Sequence, residues 1–256
     1  MRRFVMGDIH GAYNSLLQCL ERSGFNYKHD ILIQLGDVVD GHNSSYDCVE
    51  ELLKIEKLVS IKGNHDAWFL EFIKTGSHPK LWGHGGEATL TSYMRKCTNK
   101  KDTDIMMNSP ANLKPSSIPE THRDFFYNQP PYHETKDKLL FVHAGFKPYV
   151  PLQRQGIYLY DDRNFWDEIK KYKNNSIPEK FSLLKDYRTV YIGHSPTTKS
   201  GTDQPIQILN ITNLDTGAAK GNKGRLTIMD IDSGSYWQSD ILDSTITDLN
   251  KLKKYE

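Results

Sequence analysis

The chain has 256 residues, of which 37% are hydrophobic and 25% are charged, and its formal net charge is +1. This length suits one large α/β domain or two small ones, and the apolar fraction excludes a chain that is disordered throughout. No apolar run approaches the roughly 18 residues that a membrane span requires. The first residues, MRRFVMGDIHG, are too poor in apolar side chains to form the core of a signal peptide. We therefore expect a cytoplasmic protein that is neither secreted nor embedded in a membrane.

The charge balance and the cysteines narrow the class further. Lysine and arginine total 33 and aspartate and glutamate 32, with no basic arm, so we expect no nucleic-acid partner and no membrane partner. The three cysteines, Cys19, Cys48 and Cys97, are widely spaced and form no Cys-x-x-Cys pair. This spacing argues against a disulfide framework and against a zinc ribbon, and it is typical of a reducing compartment.

The first third of the chain alternates predicted strands with predicted helices. In chain order these are strand Arg3–Met6, helix Ala12–Arg22, strand Ile31–Leu35, helix Tyr46–Leu58, strand Leu58–Ile61 and helix Ala67–Lys74. The helices are predicted from apolar residues at helical spacing, such as Leu16, Leu17 and Leu20. This β–α–β–α–β order implies right-handed crossovers and a largely parallel sheet.

The remainder of the chain is predicted to become rich in strands. Helices at Gly85–Lys96 and Thr121–Asn128 flank a proline-containing loop at Asn108–Pro119. Strands are then predicted at Leu139–His143, Thr189–Ile192, Ile206–Leu214, Arg225–Ile231 and Ser235–Ile241. Two sheets packed face to face with helices outside would accommodate both halves. Because no linker interrupts the chain, we expect a single domain over residues 1–256, with a charged surface helix or frayed tail at Thr245–Glu256.

Short polar motifs follow five of the predicted strands. They are GDIHG at 7–11, GDVVDG at 36–41, GNHD at 63–66, VHAG at 142–145 and GHSP at 193–196. The carboxyl ends of strands are where α/β folds place their ligand sites. Any one motif alone could be a turn or a surface histidine. Five of them, each directly after an apolar run, predict one shared site.

The side chains in these motifs are typical metal ligands. The set consists of Asp8, His10, Asp37, Asn64, His143 and His194. A mixture of carboxylate, imidazole and amide oxygen suits Mn²⁺, Fe or Zn²⁺ better than Ca²⁺ or Mg²⁺, and we expect Mn²⁺. Six ligands are too many for one open catalytic site but suffice for two metals if Asp37 bridges them. Two metals about 3.5–4 Å apart acidify a shared water and neutralise phosphate charge during in-line attack on phosphorus.

Together these motifs resemble the calcineurin-like metallophosphoesterases. Within that superfamily they are most similar to the phosphoprotein-phosphatase branch, which includes bacterial and phage-type serine/threonine phosphatases and diadenosine tetraphosphatases. The segments Trp82–Tyr93, Tyr160–Glu168 and Asn213–Thr227 extend the similarity over most of the chain. The resemblance implies a four-layer α/β/β/α sandwich of two mixed sheets flanked by helices, forming one catalytic domain.

The resemblance also implies which residues bind the metals. Asp8, His10 and Asp37 would hold the first metal, and Asp37, Asn64, His143 and His194 would hold the second. A hydroxide that bridges the two metals would then attack the phosphate.

Further residues are implied to act on the substrate. His65 would protonate the leaving group, and Asp40 would orient its imidazole and keep it charged. A histidine paired with a carboxylate can be cationic near neutrality, and a phosphate monoester needs leaving-group protonation. Arg163 and Asn64 would bind the phosphate, since a guanidinium forms forked hydrogen bonds with phosphate oxygens. An ion pair of Arg163 with a neighbouring aspartate is the alternative.

The chain departs from the family pattern at three positions. Gly41 stands where the family has a phosphate-binding arginine, and His42 or Asn43 are the candidates to replace it. His84 stands in place of an asparagine and is either near the substrate or an inert loop residue. Asp66 stands where the eukaryotic branch commonly has glutamate, and we expect it to support the site indirectly. These changes bear on the choice of substrate more than on hydrolysis.

Three functions are therefore compared. The first is a serine/threonine or dual-specificity protein phosphatase that hydrolyses phosphate monoesters. The second is a symmetrical diadenosine tetraphosphate hydrolase, which would need an adenine site built from the aromatic residues of the loop between Met106 and Pro131. The third is a metal-binding module without catalysis, ranked last because His65 and Asp40 are both present.

Overall fold

The computed structural model describes residues 1–97, 113–172, 177, 179–219 and 223–242. The described strands are β1 (Arg3–Met6), β2 (Ile31–Gln34), β3 (Leu58–Ser60), β4 (Tyr132–Glu134), β5 (Leu139–Val142), β6 (Thr189–Ile192), β7 (Ile206–Ile208), β8 (Ile211–Asn213), β9 (Thr227–Asp230) and β10 (Tyr236–Gln238). The described α-helices are α1 (Tyr13–Arg22), α2 (Ser45–Leu52), α3 (Asn64–Thr75), α4 (Gly86–Cys97), α5 (Glu120–Asn128), α6 (Tyr158–Asp161) and α7 (Asn164–Ile169).

The strands form two mixed sheets of five strands each. The first sheet has the order β10–β9–β1–β2–β3, in which β1, β2 and β3 are parallel and β9 and β10 are antiparallel additions. The second has the order β4–β5–β6–β8–β7, in which β5, β6 and β8 are parallel and β4 and β7 are antiparallel edges. The parallel β–α–β–α–β start and the β-rich second half confirm the two-sheet prediction.

Alternating side chains explain why the sheets pack into four layers. Successive residues of a strand point to opposite faces, so a buried strand contacts two different layers. In β1, Val5 belongs to the cluster between the sheets, whereas Phe4 and Met6 pack against the helices of the first half. In β5, Phe141 faces the other sheet, whereas Leu140 packs against helices of the second half. The predicted α/β/β/α sandwich is therefore confirmed.

The helix predicted over Ala67–Lys74 begins three residues earlier, at Asn64. Two other predicted elements differ more from the structure. The strand predicted at Ile206–Leu214 is a hairpin of β7 and β8, because Leu209 adopts a left-handed φ of 57° and the Asn210 amide donates to the carbonyls of Leu184 and Tyr187. The helix predicted over Tyr46–Leu58 ends at Leu52, because Glu56 N–H leaves the helix and donates to the carbonyl of Tyr27. In both cases a tertiary hydrogen bond overrides the local apolar pattern.

Some predictions concern residues that the structure does not describe. Residues 108–112 of the predicted loop Asn108–Pro119 and the whole predicted tail Thr245–Glu256 lie outside the described residues. The single-domain assignment over residues 1–256 stays a prediction. Within the described ranges, no helix has the length and hydropathy needed to cross a membrane.

The parallel strands of both sheets end at one common edge. After β1 and β2, the backbone N–H groups of Ile9 and His10 donate to the carbonyl of Asp37 at 3.0 and 2.9 Å. After β5 and β6, Gly193 N–H donates to the carbonyl of His143 at 2.8 Å. His194 N–H then crosses between the sheets and donates to Asp8 Oδ2 at 3.0 Å. This edge therefore brings the polar motifs of both halves together.

The layer between the sheets is tightly packed core. Phe141 is fully buried there and stacks on Tyr191 with ring centroids 5.1 Å apart. We expect Phe141→Ala to lower the free energy of unfolding by about 3–5 kcal/mol, because it removes a large ring from a packed layer. Urea denaturation measures the change. Tyr149→Ala is the control, since Tyr149 is 71% exposed and its loss should cost less than about 0.5 kcal/mol. Equal effects of the two changes would contradict the assignment of this layer as core.

Candidate metal and phosphoester site

The structure brings all six predicted metal ligands to the common edge of the two sheets. Each follows the end of a strand, and each is at most 6% exposed: Asp8, His10, Asp37, Asn64, His143 and His194. Three of them, His10, Asp37 and His194, have left-handed φ angles of 51°, 56° and 65°. Non-glycine residues rarely adopt this conformation, and when they do they are concentrated at functional sites. The local backbone is therefore shaped to aim these side chains inward.

Asp37 lies at the centre of the cluster. Its Oδ2 atom is 3.7 Å from His10 Nε2 and 3.2 Å from His143 Nε2. Asp37 belongs to two groups whose potential ligand atoms all lie within 4.8 Å of one another, one with His10 and His65 and one with His143 and His194. Asp8 adjoins the first group, with Oδ2 3.9 Å from His10 Nε2. A carboxylate shared by two groups is what a bridging ligand requires.

Backbone carbonyls orient two of the imidazoles. Nδ1 of His143 lies 2.7 Å from the carbonyl of Leu35, and Nδ1 of His10 lies 3.2 Å from the carbonyl of Val39. A carbonyl can only accept, so Nδ1 donates in both cases, and in the neutral ring Nε2 keeps the lone pair that a metal would bind. Histidines that bind metals are commonly held in this way.

Unsatisfied buried atoms test whether the cluster fits metal ions. Among the described residues, His194 Nε2 and both amide atoms of Asn64 are buried without a hydrogen-bond partner, and His143 Nε2 lies 3.2 Å from Asp37 Oδ2 without hydrogen-bond geometry. A buried polar atom without a partner is costly, and several of them facing one point indicate a missing ligand. Imidazole nitrogen and amide oxygen are both suitable donors for a divalent transition metal. The residues present therefore fit divalent cations.

The electrostatics favour cations as well. Burial, together with the charges of Asp215 and Asp37, raises the pKa of Asp8 well above its usual range. Burial also raises the pKa of Asp215 to about 6. Burial lowers the pKa of His10 to about 3, so its imidazole is neutral and available as a ligand. Divalent cations at this position would stabilise the charged carboxylates that otherwise repel one another.

Close backbone approach is required beside two of the carboxylates. A Cβ atom on Gly63 would lie 2.1 Å from Asp37 Oδ1, and one on Gly193 would lie 2.1 Å from Asp8 Oδ1. These positions must be glycine for the carboxylates to stay where they are. The glycines of the GNHD and GHSP motifs thus belong to the site geometry.

Asp66 supports the site from behind, as the sequence predicted. Its carboxylate accepts hydrogen bonds from the backbone N–H groups of Asp37 and Val38, both at 2.9 Å, and from Gln129 Nε2 at 3.0 Å. These bonds fix the loop that carries Asp37. Asp66 therefore holds the backbone of the loop that carries Asp37 and is not itself a proposed metal ligand.

His65 is paired with Asp40 at the rim of the cluster. Nδ1 of His65 lies 2.6 Å from Asp40 Oδ2, and the ring of Trp68 packs edge-on at 4.6 Å. Burial alone would lower the pKa of His65, but the charge of Asp37 and the hydrogen bond to Asp40 outweigh it and raise the pKa. Because Nδ1 is engaged, Nε2 is the ring nitrogen left for a substrate.

A cavity of about 460 Å³ opens over these residues. Its walls include His65 and Asp37 together with three exposed basic side chains, His84, Arg163 and Lys199. Among the described residues, no carboxylate lies within 4 Å of the Arg163 guanidinium, so the alternative ion pair with a neighbouring aspartate is not formed. His84 proves to line the cavity.

Sequence reasoning missed two residues of this cavity and left one question open. Asp215 and Lys199 also line it. Asp215 follows the end of β8 as the recognised motifs follow their strands, which was a usable signal, whereas Lys199 lies in a short 3₁₀ turn with no such signal. At the position of the absent arginine, Gly41 lines the cavity, and His42 Nε2 lies 3.0 Å from the carbonyl of Ala218.

The aromatic residues suggested for an adenine site lie elsewhere. Phe126 is fully buried in the core, and Phe125 lines a separate cleft beside β3 with His133. Residues 106–112 of that loop are outside the described residues. Within the described part, the loop does not contribute an aromatic ring to the cavity.

Comparison with known proteins gives one family and several relatives. The model of the calcineurin-like phosphoesterase family matches residues 1–216. Serine/threonine-protein phosphatase 2 of Escherichia coli K12 is 40% identical over 84 residues, a match that covers 33% of this chain and 38% of that protein. The asymmetrical bis(5'-nucleosyl)-tetraphosphatase PrpE of Bacillus cereus AH820 is 27% identical over 249 residues, covering 90% of both chains. Only the second relative aligns over nearly its whole length.

Solved structures support the fold. The crystal structure of a proposed diadenosine tetraphosphatase superposes with a TM-score of 0.59 and 20% identity over 94% of both chains. A cold-active protein-tyrosine phosphatase of a Shewanella species superposes with a TM-score of 0.58 and 10% identity over 93% of this chain and 80% of its own. At such identities the similarity concerns the architecture alone.

The central position of Asp37 leads to a test of metal binding. We expect Asp37→Asn to lose more metal than a change of any other proposed ligand, because a shared carboxylate serves both ions and compensates both charges. Elemental analysis of variants purified with Mn²⁺ measures metal per chain. Asp167→Asn is the matched control, since that carboxylate is exposed on α7. If Asp37→Asn retained two equivalents while His194→Ala retained none, Asp37 would not be the bridge.

Proposed function

The chain belongs to the calcineurin-like phosphoesterase family, and from this we propose that it is a metal-dependent hydrolase of phosphate monoesters. We assign the six buried side chains at the sheet edge to two divalent metal ions, with Mn²⁺ preferred over Fe or Zn²⁺. Asp8, His10 and Asp37 would hold one ion, and Asp37, Asn64, His143 and His194 the other. When bound, such ions acidify a water molecule and neutralise phosphate charge.

His65 is the proposed general acid. Its Nε2 atom would donate a proton to the oxygen that leaves with the alcohol, while Nδ1 donates to Asp40. The negative charge of Asp40 stabilises the imidazolium before transfer and keeps the ring in one orientation. The backbone N–H of His65 also donates to Asp37 Oδ1 at 3.0 Å, which fixes the position of the proposed acid relative to the proposed bridging carboxylate.

Arg163 and Asn64 are the proposed phosphate-binding residues of this chain. The exposed guanidinium of Arg163 lines the cavity and can form two hydrogen bonds with phosphate oxygens. Asn64 has two unpartnered amide atoms, so one can bind a metal while the Nδ2 group donates to the substrate. Lys199 lines the same cavity and adds a positive charge that can bind an anion, which Gly41, in place of the family's arginine, cannot supply.

The pairing of His65 with Asp40 is the observation that carries this proposal. A serine or threonine alkoxide is a poor leaving group and must be protonated as it departs, whereas a nucleotide phosphate leaves more readily. A partly buried, charge-paired histidine beside a candidate metal site is therefore of most use for phosphoserine and phosphothreonine. We accordingly propose a serine/threonine protein phosphatase that also accepts phosphotyrosine or small phosphoesters.

A dinucleoside polyphosphatase is the second candidate. It is favoured by the relatives that align over about 90% of both chains and are named asymmetrical bis(5'-nucleosyl)-tetraphosphatases. Three basic side chains around the cavity would also suit a chain of phosphates.

The location in the cytoplasm and the lack of nucleic-acid and membrane partners stay predictions.

A parallel assay separates the two candidates. We expect the Mn²⁺-loaded protein to release phosphate from a phosphoserine peptide with a higher kcat/KM than that for cleavage of diadenosine tetraphosphate. Phosphate release and nucleotide chromatography measure the two reactions, and a sample dialysed against chelator is the control for metal dependence. A higher kcat/KM for the dinucleotide would select the second candidate, and full activity without metal would exclude both.

Replacement of His65 tests the general acid. We expect His65→Asn to retain both metals but to lose about 10²–10⁴ in kcat for a phosphoserine peptide, because the alkoxide then leaves without a proton. The loss should shrink for 4-nitrophenyl phosphate, whose leaving group needs no proton. His133→Asn, a half-buried histidine on β4 away from the cavity, is the matched control. A loss that is the same for both substrates would mean that His65 is not the acid.

A further inference from the structure

Two side chains besides His65 bind the carboxylate of Asp40. Trp82 Nε1 donates to Oδ1 and Oδ2 at 3.1 and 3.0 Å, and Thr89 Oγ1 donates to Oδ1 at 2.6 Å. Asp40 and Thr89 are fully buried and Trp82 is 4% exposed, so water does not compete for these bonds. Trp82 and Thr89 come from one short segment that leads from a 3₁₀ turn into α4.

The hydroxyl proton of Thr89 has a defined direction. The backbone N–H of Asp40 donates to Thr89 Oγ1 at 2.9 Å, so this oxygen is the acceptor of that bond. Ser45 Oγ also lies 3.3 Å from Thr89 Oγ1, but the carboxylate oxygen at 2.6 Å is the nearer and stronger acceptor, so the single hydroxyl proton points at Asp40 Oδ1. One hydroxyl thus fixes both the main chain and the carboxylate of Asp40, whose backbone has a left-handed φ of 71°.

The indole of Trp82 is held by packing that does not involve Asp40. The rings of Phe69 and Phe72 lie 5.9 and 5.4 Å from it. On another side, a Cβ atom on Gly86 would come within 2.6 Å of the indole, so only glycine allows the start of α4 to approach. The N–H of Trp82 is therefore aimed at Asp40 by the core and cannot turn away without repacking it.

We propose that Trp82 and Thr89 are positioning residues that hold Asp40, and through it His65, in the orientation for proton transfer. With both donors in place, each carboxylate oxygen has a fixed partner and Oδ2 is presented to His65 Nδ1 at 2.6 Å. Without them, the carboxylate can rotate, and Nε2 of His65 loses its fixed aim at the leaving oxygen. This inference rests on the proposed role of His65 as the general acid. It adds no chemical step, since the proton still passes from His65 Nε2 to the leaving oxygen.

Substitution of Thr89 tests the proposal through the leaving group. Thr89→Val keeps the shape but removes the hydroxyl, and we expect kcat for a phosphoserine peptide to fall by about tenfold or more, with KM unchanged. For 4-nitrophenyl phosphate the fall should be about threefold at most, since that leaving group needs no proton. Thr89→Ser should restore the wild-type values. Thr121→Val, at an exposed position of α5, is the matched control.

A second readout does not depend on activity. In histidine-labelled protein, the Nδ1–H proton shared with Asp40 should give a far-downfield NMR resonance. We expect that resonance to shift or disappear in Thr89→Val and in Trp82→Phe and to persist in Thr89→Ser and Thr121→Val. Trp82→Phe carries the comparison if Thr89→Val does not fold.

Two results would overturn the proposal. One is an equal fall in kcat for both substrates in Thr89→Val, which indicates a structural effect only. The other is an unchanged resonance in both Thr89→Val and Trp82→Phe. If the wild-type protein hydrolysed neither ester, the proposed function would fail, and the resonance would still decide whether the two residues position His65.

Discussion

Several carboxylates are buried close together, and the rest of the site is arranged around that constraint. Asp8, Asp37, Asp66 and Asp215 are each at most 3% exposed. A buried charge without a partner costs several kcal/mol. The chain compensates part of this cost with backbone N–H groups: those of Asp37 and Val38 bind Asp66, that of Gly217 binds Asp215, and that of His194 binds Asp8. Divalent cations are the natural means of compensating the remaining charge.

The residues around the cavity fall into two groups that differ in burial. On the metal side, His10, Asp37 and His194 are buried and held in left-handed backbone conformations by hydrogen bonds between loops. Arg163 and Lys199, in contrast, are exposed and belong to two separate short helical segments. A change at such exposed positions would alter the basic rim without disturbing the buried ligand cluster. This division agrees with relatives whose names give both phosphoproteins and dinucleotides as substrates.

The sequence predicts the ligand set because position in the chain and position in space coincide there. Asp8, Asp37 and His143 each follow a strand directly, so locating the strands locates the residues. Trp82 and Thr89 have no such relation, since they reach Asp40 across more than forty residues through side-chain bonds. The β7–β8 hairpin was missed for a similar reason, because the turn depends on the contacts of Asn210 with a distant segment. The periodicity of apolar residues predicts helices and strands, but it does not predict hydrogen bonds between side chains that are distant in the sequence.

The pairing of β1 with β9 has a consequence for how the protein forms during synthesis. Phe4 lies opposite Asp230, so β1 gains this neighbour only after β9 has been synthesised, and all strands of the second sheet lie between the two in the chain. Until then β1 presents an unpaired edge, which is a template for pairing with another chain. The site has the same dependence, because the bond from His194 N–H to Asp8 joins residues 186 positions apart. A nascent chain that ends before His194 therefore lacks part of the candidate metal site, which can be complete only after β6 has been synthesised and has paired with β5.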